Sequence, residues 1–166
     1  MLWLMSKSWI AGLVAVLALT LAGCGSDTKS GGADPSTPLG QMQNAVSGDA
    51  DGVTVTKQAG GYAIDFKIQD NLSNGMIRDG IAVDVFKMLQ SISQHGPAGS
   101  YSLNFRGTFG MQDKYGQAIS PDPVVFRTTF KSGTARRIGY DSINTASYDT
   151  VSQLADGMTW IHPAFQ

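Results

Sequence analysis

Residues 76–94 read MIRDGIAVDVFKMLQSISQ, and the period of their apolar side chains decides the fold class. At 100° per residue, Ile77, Ile81, Val85, Met88 and Ile92 fall within about 80° of arc, and Ala82 and Leu89 widen the stripe. An all-β chain would need this stretch to alternate in and out, and its period is wrong for that. Gly80 inside the stripe costs about 1 kcal/mol relative to alanine. Asn74 is a candidate N-cap, and His95, Gly96 and Pro97 end the helix because proline cannot continue it. Val83 and Phe86 point away from the main stripe. They predict a second apolar side, either covered by another element or held open for a partner.

The flanking text alternates. Val53–Lys57 and Tyr62–Gln69 are punctuated by Ala59, Gly60 and Gly61, with Tyr62, Ile64, Phe66 and Ile68 on one face and Asp65, Lys67 and Gln69 on the other. That pattern predicts a half-buried antiparallel hairpin. Beyond the helix, Tyr101, Leu103 and Phe105 alternate with Ser102, Asn104 and Arg106, and Gly107 takes an apolar position, which marks a bulge or a close backbone approach. Asp113, Lys114, Tyr115 and Gly116 read as a hairpin tip, and Val124–Lys131 alternates again after Pro121 and Pro123. Helical turns are expected at 134–140 and 148–155. The order predicts an α+β domain of two layers: a four-stranded, mainly antiparallel sheet, one main helix (β-β-α-β-β) and a partly helical C-terminal tail. Trp160, Ile161 and Phe165 are too apolar for a loose end, so residues 160–165 are expected to strap back over Val83 and Phe86.

The chain before the domain has a different character. Residues 25–50 are rich in Gly, Ser, Thr, Asp, Ala and Pro and predict a tether over 24–50, with a root-mean-square reach of roughly 28 Å for about 26 residues. Leu39–Val46 has room for a helical turn or two inside it. A single globular domain is then expected over 51–166. Ahead of the tether, Lys7 supplies a positive charge, Trp9–Leu21 is an apolar run shorter than the ~20 residues a spanning helix needs, and small residues lead into the one cysteine, Cys24. Leu21, Ala22, Gly23 and Cys24 resemble the lipobox of bacterial lipoproteins. This resemblance covers residues 1–24 and implies cleavage of a 1–23 signal peptide, acylation of Cys24 and a lipid anchor on the extracytoplasmic face of the cell membrane. Residue 25 is glycine, so nothing resembles the aspartate signal that retains lipoproteins at the inner membrane, and an outer-membrane location stays open.

Composition excludes more chemistry than it offers. Without the leader, 11 basic residues face 13 acidic ones, and there is no polybasic run, so no nucleic-acid partner is expected. All 13 acidic residues are aspartate, which removes His-Glu-x-x-His zinc sites and glutamate acids. The lone thiol belongs to the lipid, leaving no disulfide or thiolate nucleophile. Neither a Gly-x-Ser-x-Gly elbow nor a glycine-rich phosphate loop occurs. His95 fits a helix C-terminus without any catalytic role. Asp49 and Asp51 resemble the start of a calcium loop but lack its later ligand, and calcium wants six to eight oxygens. No catalytic residue, metal or cofactor is expected. The candidate partner or ligand contacts are Lys114 and Tyr115 at the hairpin tip, the cluster Arg136, Arg137 and Tyr140, and the second apolar side at Val83 and Phe86. A lipid-anchored binding or protein-interaction module is the expectation, with the membrane reached through Cys24 and a protein or other envelope component as partner. An accessory subunit of an envelope complex and a hydrolase are the alternatives.

Overall fold

The long helix is present and slightly longer than its apolar stripe. A computed structural model describes residues 34–70, 73–141 and 145–166; the leader, Cys24 and the first part of the expected tether lie outside them. In chain order the elements are α1 (Pro38–Val46), β1 (Asp51–Gln58), β2 (Gly61–Lys67), α2 (Asn74–His95), β3 (Ser102–Thr108), β4 (Val124–Lys131), α3 (Ser132–Ala135), α4 (Tyr148–Leu154) and β5 (Trp160–Ile161). A 3-10 turn at Pro163–Phe165 ends the chain. The N-cap of α2 is Ser73, one residue before the expected Asn74; its Oγ accepts the Met76 N–H at 3.3 Å.

The fold is α+β, with a five-stranded mixed sheet ordered β1-β2-β3-β4-β5. The sheet is mostly antiparallel, and two of its features were not read from the sequence. First, β2 and β3 pair in parallel, Gly61 opposite Ser102 through Lys67 opposite Thr108. A period of two says which face a residue takes but nothing about the direction of the neighbouring strand, and parallel neighbours require a crossover, which α2 supplies. Second, β5 adds an antiparallel edge, with Phe126 opposite Ile161 and Arg127 opposite Trp160. Two residues are too few to announce a strand by alternation. The remaining pairs, β1 with β2 and β3 with β4, are antiparallel.

One sheet face and α2 make the core. Ile81, Val85, Met88 and Ile92 share a buried cluster with Ile64, Phe66, Phe105 and Phe126, all at most 1% exposed. Phe86 is also buried, at 4%. Its cover is Tyr140, whose ring meets it edge-on at 6.3 Å, in place of the expected Trp160. The C-terminal strap does fold back, but onto the sheet edge: Ile161 and Phe165 are buried, and Phe165 meets Phe109 edge-on at 5.1 Å. The His162 Nδ1 accepts the Ala164 N–H and so holds the final turn.

Residues 38–46, placed by composition inside the tether, form α1. Thr37 caps it, its Oγ1 accepting the Gly40 N–H at 3.0 Å, and Pro38 opens its first turn. Met42 and Val46 are fully buried in the core cluster. On another side of α1, Gln43 acts as a surrogate strand. Its Nε2 donates to the Val53 carbonyl at 3.3 Å and its Oε1 accepts the Val55 N–H at 2.8 Å, satisfying part of the outer edge of β1 that would otherwise invite another chain.

Two glycines mark where backbone or side chains come close. A Cβ on Gly61 would lie 2.1 Å from the Ser102 carbonyl oxygen of the parallel neighbour. A Cβ on Gly107 would meet the tip of Ile68 at 2.7 Å, at a register shift in the β3–β4 pair. Backbone cannot yield and a side-chain tip can. Gly61→Ala is therefore expected to lower the thermal midpoint more than Gly107→Ala does, the former by the equivalent of about 1–3 kcal/mol. Paired melting curves check this, and the opposite order would contradict the β2–β3 register.

Candidate functional site

Since α2 contacts α1, α3, α4 and the final turn, the helical elements gather around it and the opposite sheet face is left to polar side chains. Register puts those side chains in rows. The first runs across all five strands: Thr54, Asp65, Arg106, Arg127 and Trp160 stand directly opposite one another in successive pairs. Parallel to it, Thr56, Ala63, Asn104 and Thr129 form a second row. There, Thr129 Oγ1 donates to Asn104 Oδ1 at 3.0 Å, and Asn104 Nδ2 donates to Gln58 at 3.1 Å.

Charges in the first row do not cancel. Arg106 makes a two-pronged pair with Asp65, Nε to Oδ1 at 2.6 Å and the second prong from Nη2 to Oδ2; this bond also holds the Arg106 guanidinium further above its ordinary range. Arg127, directly across from Arg106, has no carboxylate partner among the described residues. Its Cζ lies 5.9 Å from the centre of the Trp160 ring, whose negative face attracts the cation. The other described arginines all have oxygen partners: Arg78 has Asp149, Arg106 has Asp65, Arg136 has the Gly99 and Pro97 carbonyls, and Arg137 has Thr134 Oγ1. Among the described residues Arg127 has no such oxygen partner.

Around Arg127 lies a depression of about 560 Å³ lined by Arg127, Thr128, Thr129, Met158 and Trp160. Met158 is 83% exposed, an unusual place for a large apolar side chain. The segment that presents Met158 and Trp160 is bolted to β4. Asp156 and Gly157 N–H groups donate to the Thr129 carbonyl, the Thr128 and Thr159 hydroxyls meet at 2.8 Å, and the Lys131 N–H donates to Asp156 Oδ2 at 2.7 Å. Burial works against the charge on Asp156, yet that N–H and its polar neighbours hold its carboxyl below the usual range.

A second depression, about 400 Å³, opens between the α1–β1 connection and α2, with Asp49, Asp51, Asp84 and Lys87 among its lining residues. Burial, with help from Asp51 and Asp49 and against Lys87, pushes the Asp84 carboxyl up to about 6. Burial likewise raises Asp49, whose Oδ2 is buried without a hydrogen-bond partner. Among the described residues no group of three or more His, Cys, Asp or Glu side chains is placed to hold a metal ion. The aspartates here are a local strain on the fold.

The residues singled out from sequence fall in separate places. Lys114 and Tyr115 do form a turn tip: the Gly116 N–H donates to the Asp113 carbonyl, Tyr115 is 74% exposed, and the Lys114 ammonium lies 4.9 Å from its ring centre. Arg137 is exposed after α3. Arg136 instead ties the end of α2 to α3 through the two carbonyls already named, and Tyr140 spends its hydroxyl on the Ala135 carbonyl at 2.6 Å, burial pushing its phenol well up. Phe86 is core and Val83 is half-buried against that core, so of the two alternatives for this side it is the covered one that holds, and neither residue is an open partner contact. Arg127 and Met158 were missed, and Trp160 was read as part of the C-terminal strap, not as a neighbour of Arg127. Their signal in the sequence is only an outward-facing arginine in a strand and a tryptophan in the tail, about thirty residues apart, and nothing short of the register joins them.

The Asp84 shift carries a pH dependence. A folded-state value above that of the unfolded chain means the folded protein holds the extra proton between about pH 4 and 6, so this contribution is full below about pH 4 and is lost as pH rises through 6. Asp84→Asn is expected to raise the thermal midpoint at neutral pH and to match the parent near pH 4. Melting curves across that range check it; a lowered midpoint at neutral pH would contradict a strained carboxylate.

Compared with family models, with curated proteins and with solved structures, the chain matches none.

Proposed function

We propose that this protein is a lipid-anchored binding module on the outer side of a bacterial cell membrane, a non-enzymatic domain that presents its open sheet face to an envelope partner. The observation that carries the binding role is Arg127, a guanidinium with no oxygen acceptor among the described residues, set beside a tryptophan ring and a fully presented methionine. Arginine, tryptophan and methionine are enriched where protein surfaces meet ligands and partners, and a few such anchors dominate binding energy. Anchoring is supported by Lys7, the apolar run and the Leu-Ala-Gly-Cys order at residues 21–24. Among the described residues no helix is long and apolar enough to cross a membrane. Each buried lipid methylene contributes ~0.8 kcal/mol, and two or more chains hold stably.

Cys24→Ala tests the anchor. The variant is expected to remain uncleaved or to leave the membrane fraction, with a mass lacking the lipid. Normal membrane retention at an unchanged mature mass would overturn lipidation at Cys24.

A further inference from the structure

We infer that the depression beside Arg127 receives the free C-terminal residue of a peptide, its α-carboxylate on Arg127 and its apolar side chain between Trp160 and Met158. The inference rests on the binding role proposed above and names the ligand for it.

Charge comes first. Across the sheet the order is Asp65, Arg106, Arg127, Trp160, and the pair of like charges in the middle is relieved on one side only, by Asp65 on Arg106. Like charges directly opposite one another destabilise a sheet. A carboxylate on Arg127 restores alternation along the row, and the guanidinium fork matches a carboxylate in two parallel bonds.

Next is the mode of recognition. Strand addition to β4 is opposed, because β5 and residues 156–157 lie along that edge and take backbone groups there. The Val125 carbonyl takes the His162 N–H, the Thr129 carbonyl takes those of Asp156 and Gly157, and the Lys131 N–H goes to the Asp156 carboxylate. Recognition must therefore run through side chains.

Spacing then favours a chain end. The cation and the aromatic wall are 5.9 Å apart, so the ligand needs an anion and an apolar group that diverge from nearly one point. At a chain terminus both leave the same Cα. In an extended internal segment an acidic residue and its apolar neighbour point to opposite sides.

The test uses the full chain in detergent with Trp3→Phe and Trp9→Phe, which leaves Trp160 as the one indole. The probes are N-acetylleucine, its amide, acetate and inorganic phosphate. N-acetylleucine is expected to change Trp160 emission saturably, with a Kd on the order of millimolar for so small a ligand. The amide and acetate should each bind at least roughly tenfold more weakly, and Arg127→Gln should weaken N-acetylleucine by a similar factor without lowering the thermal midpoint. Met158→Ala, altering an exposed side chain, should weaken N-acetylleucine and leave acetate as it was. Equal binding of the amide, phosphate binding as tight as N-acetylleucine, or no saturable change with any probe would each overturn the assignment. None of these results bears on membrane retention through Cys24, so the ligand class and the anchored-module proposal fail separately.

Discussion

The parallel pairing of β2 with β3 is the constraint on which the rest of this domain depends. Two adjacent parallel strands cannot be joined by a turn, so the chain must leave the sheet, cross it and return. Here α2 makes that crossing, and its stripe from Ile77 to Ile92 needs apolar cover. The strand faces carrying Ile64, Phe66, Phe105 and Phe126 provide it. Once α2 is seated there, α1, α3, α4 and the final turn pack around the same helix. The opposite face is left to threonines, amides and charges. Asymmetry between the faces is thus a consequence of connectivity, and the row that ends in Arg127 and Trp160 follows from it.

Elements that add little by themselves finish the edges. At β1 the amide of Gln43 occupies one carbonyl and one N–H in the manner of a further strand. At β4 the work falls to β5 and residues 156–157, which consume the backbone groups that would otherwise be open. Both edges are managed by short segments from outside the predicted sheet. What remains open is one face, with Arg127 near its rim the one described guanidinium without an oxygen partner. The acidic depression by α2 behaves differently: burial raises the carboxyls of Asp84 and Asp49, with Asp51 and Asp49 adding to the effect on Asp84, and among the described residues no group placed to hold a metal ion is assembled there.

Much of this architecture was legible in the sequence, for reasons that also explain what was not. The α2 stripe, the alternation from Tyr62 to Ile68 and the turn at Asp113–Gly116 are local patterns, and local patterns report burial directly. Gly107 was marked as a bulge or a close backbone approach; a register shift does fall there, while the near neighbour is the side chain of Ile68 and not backbone. Strand direction and register leave no comparable trace. The sheet is mostly antiparallel as expected, but the parallel pairing of β2 with β3 was not read, and the Arg127–Trp160 pair, which exists only through register, was invisible. The helical turns allowed at Leu39–Val46 are present in α1, but its place in the core escaped because it is nine residues long, within text whose glycines and prolines read as tether. Arg136 and Phe86 drew attention by residue type, and their partners, two carbonyls and a tyrosine ring, lie far away in sequence.

Nuclear Overhauser contacts between residues 61–67 and 102–108 test the central claim most directly. The account predicts a parallel pattern, with the backbone of Ala63 beside Asn104 and that of Asp65 beside Arg106, and with contacts advancing in the same direction along both strands. Contacts that run in opposite directions, or an absence of contact between the two strands, would contradict it.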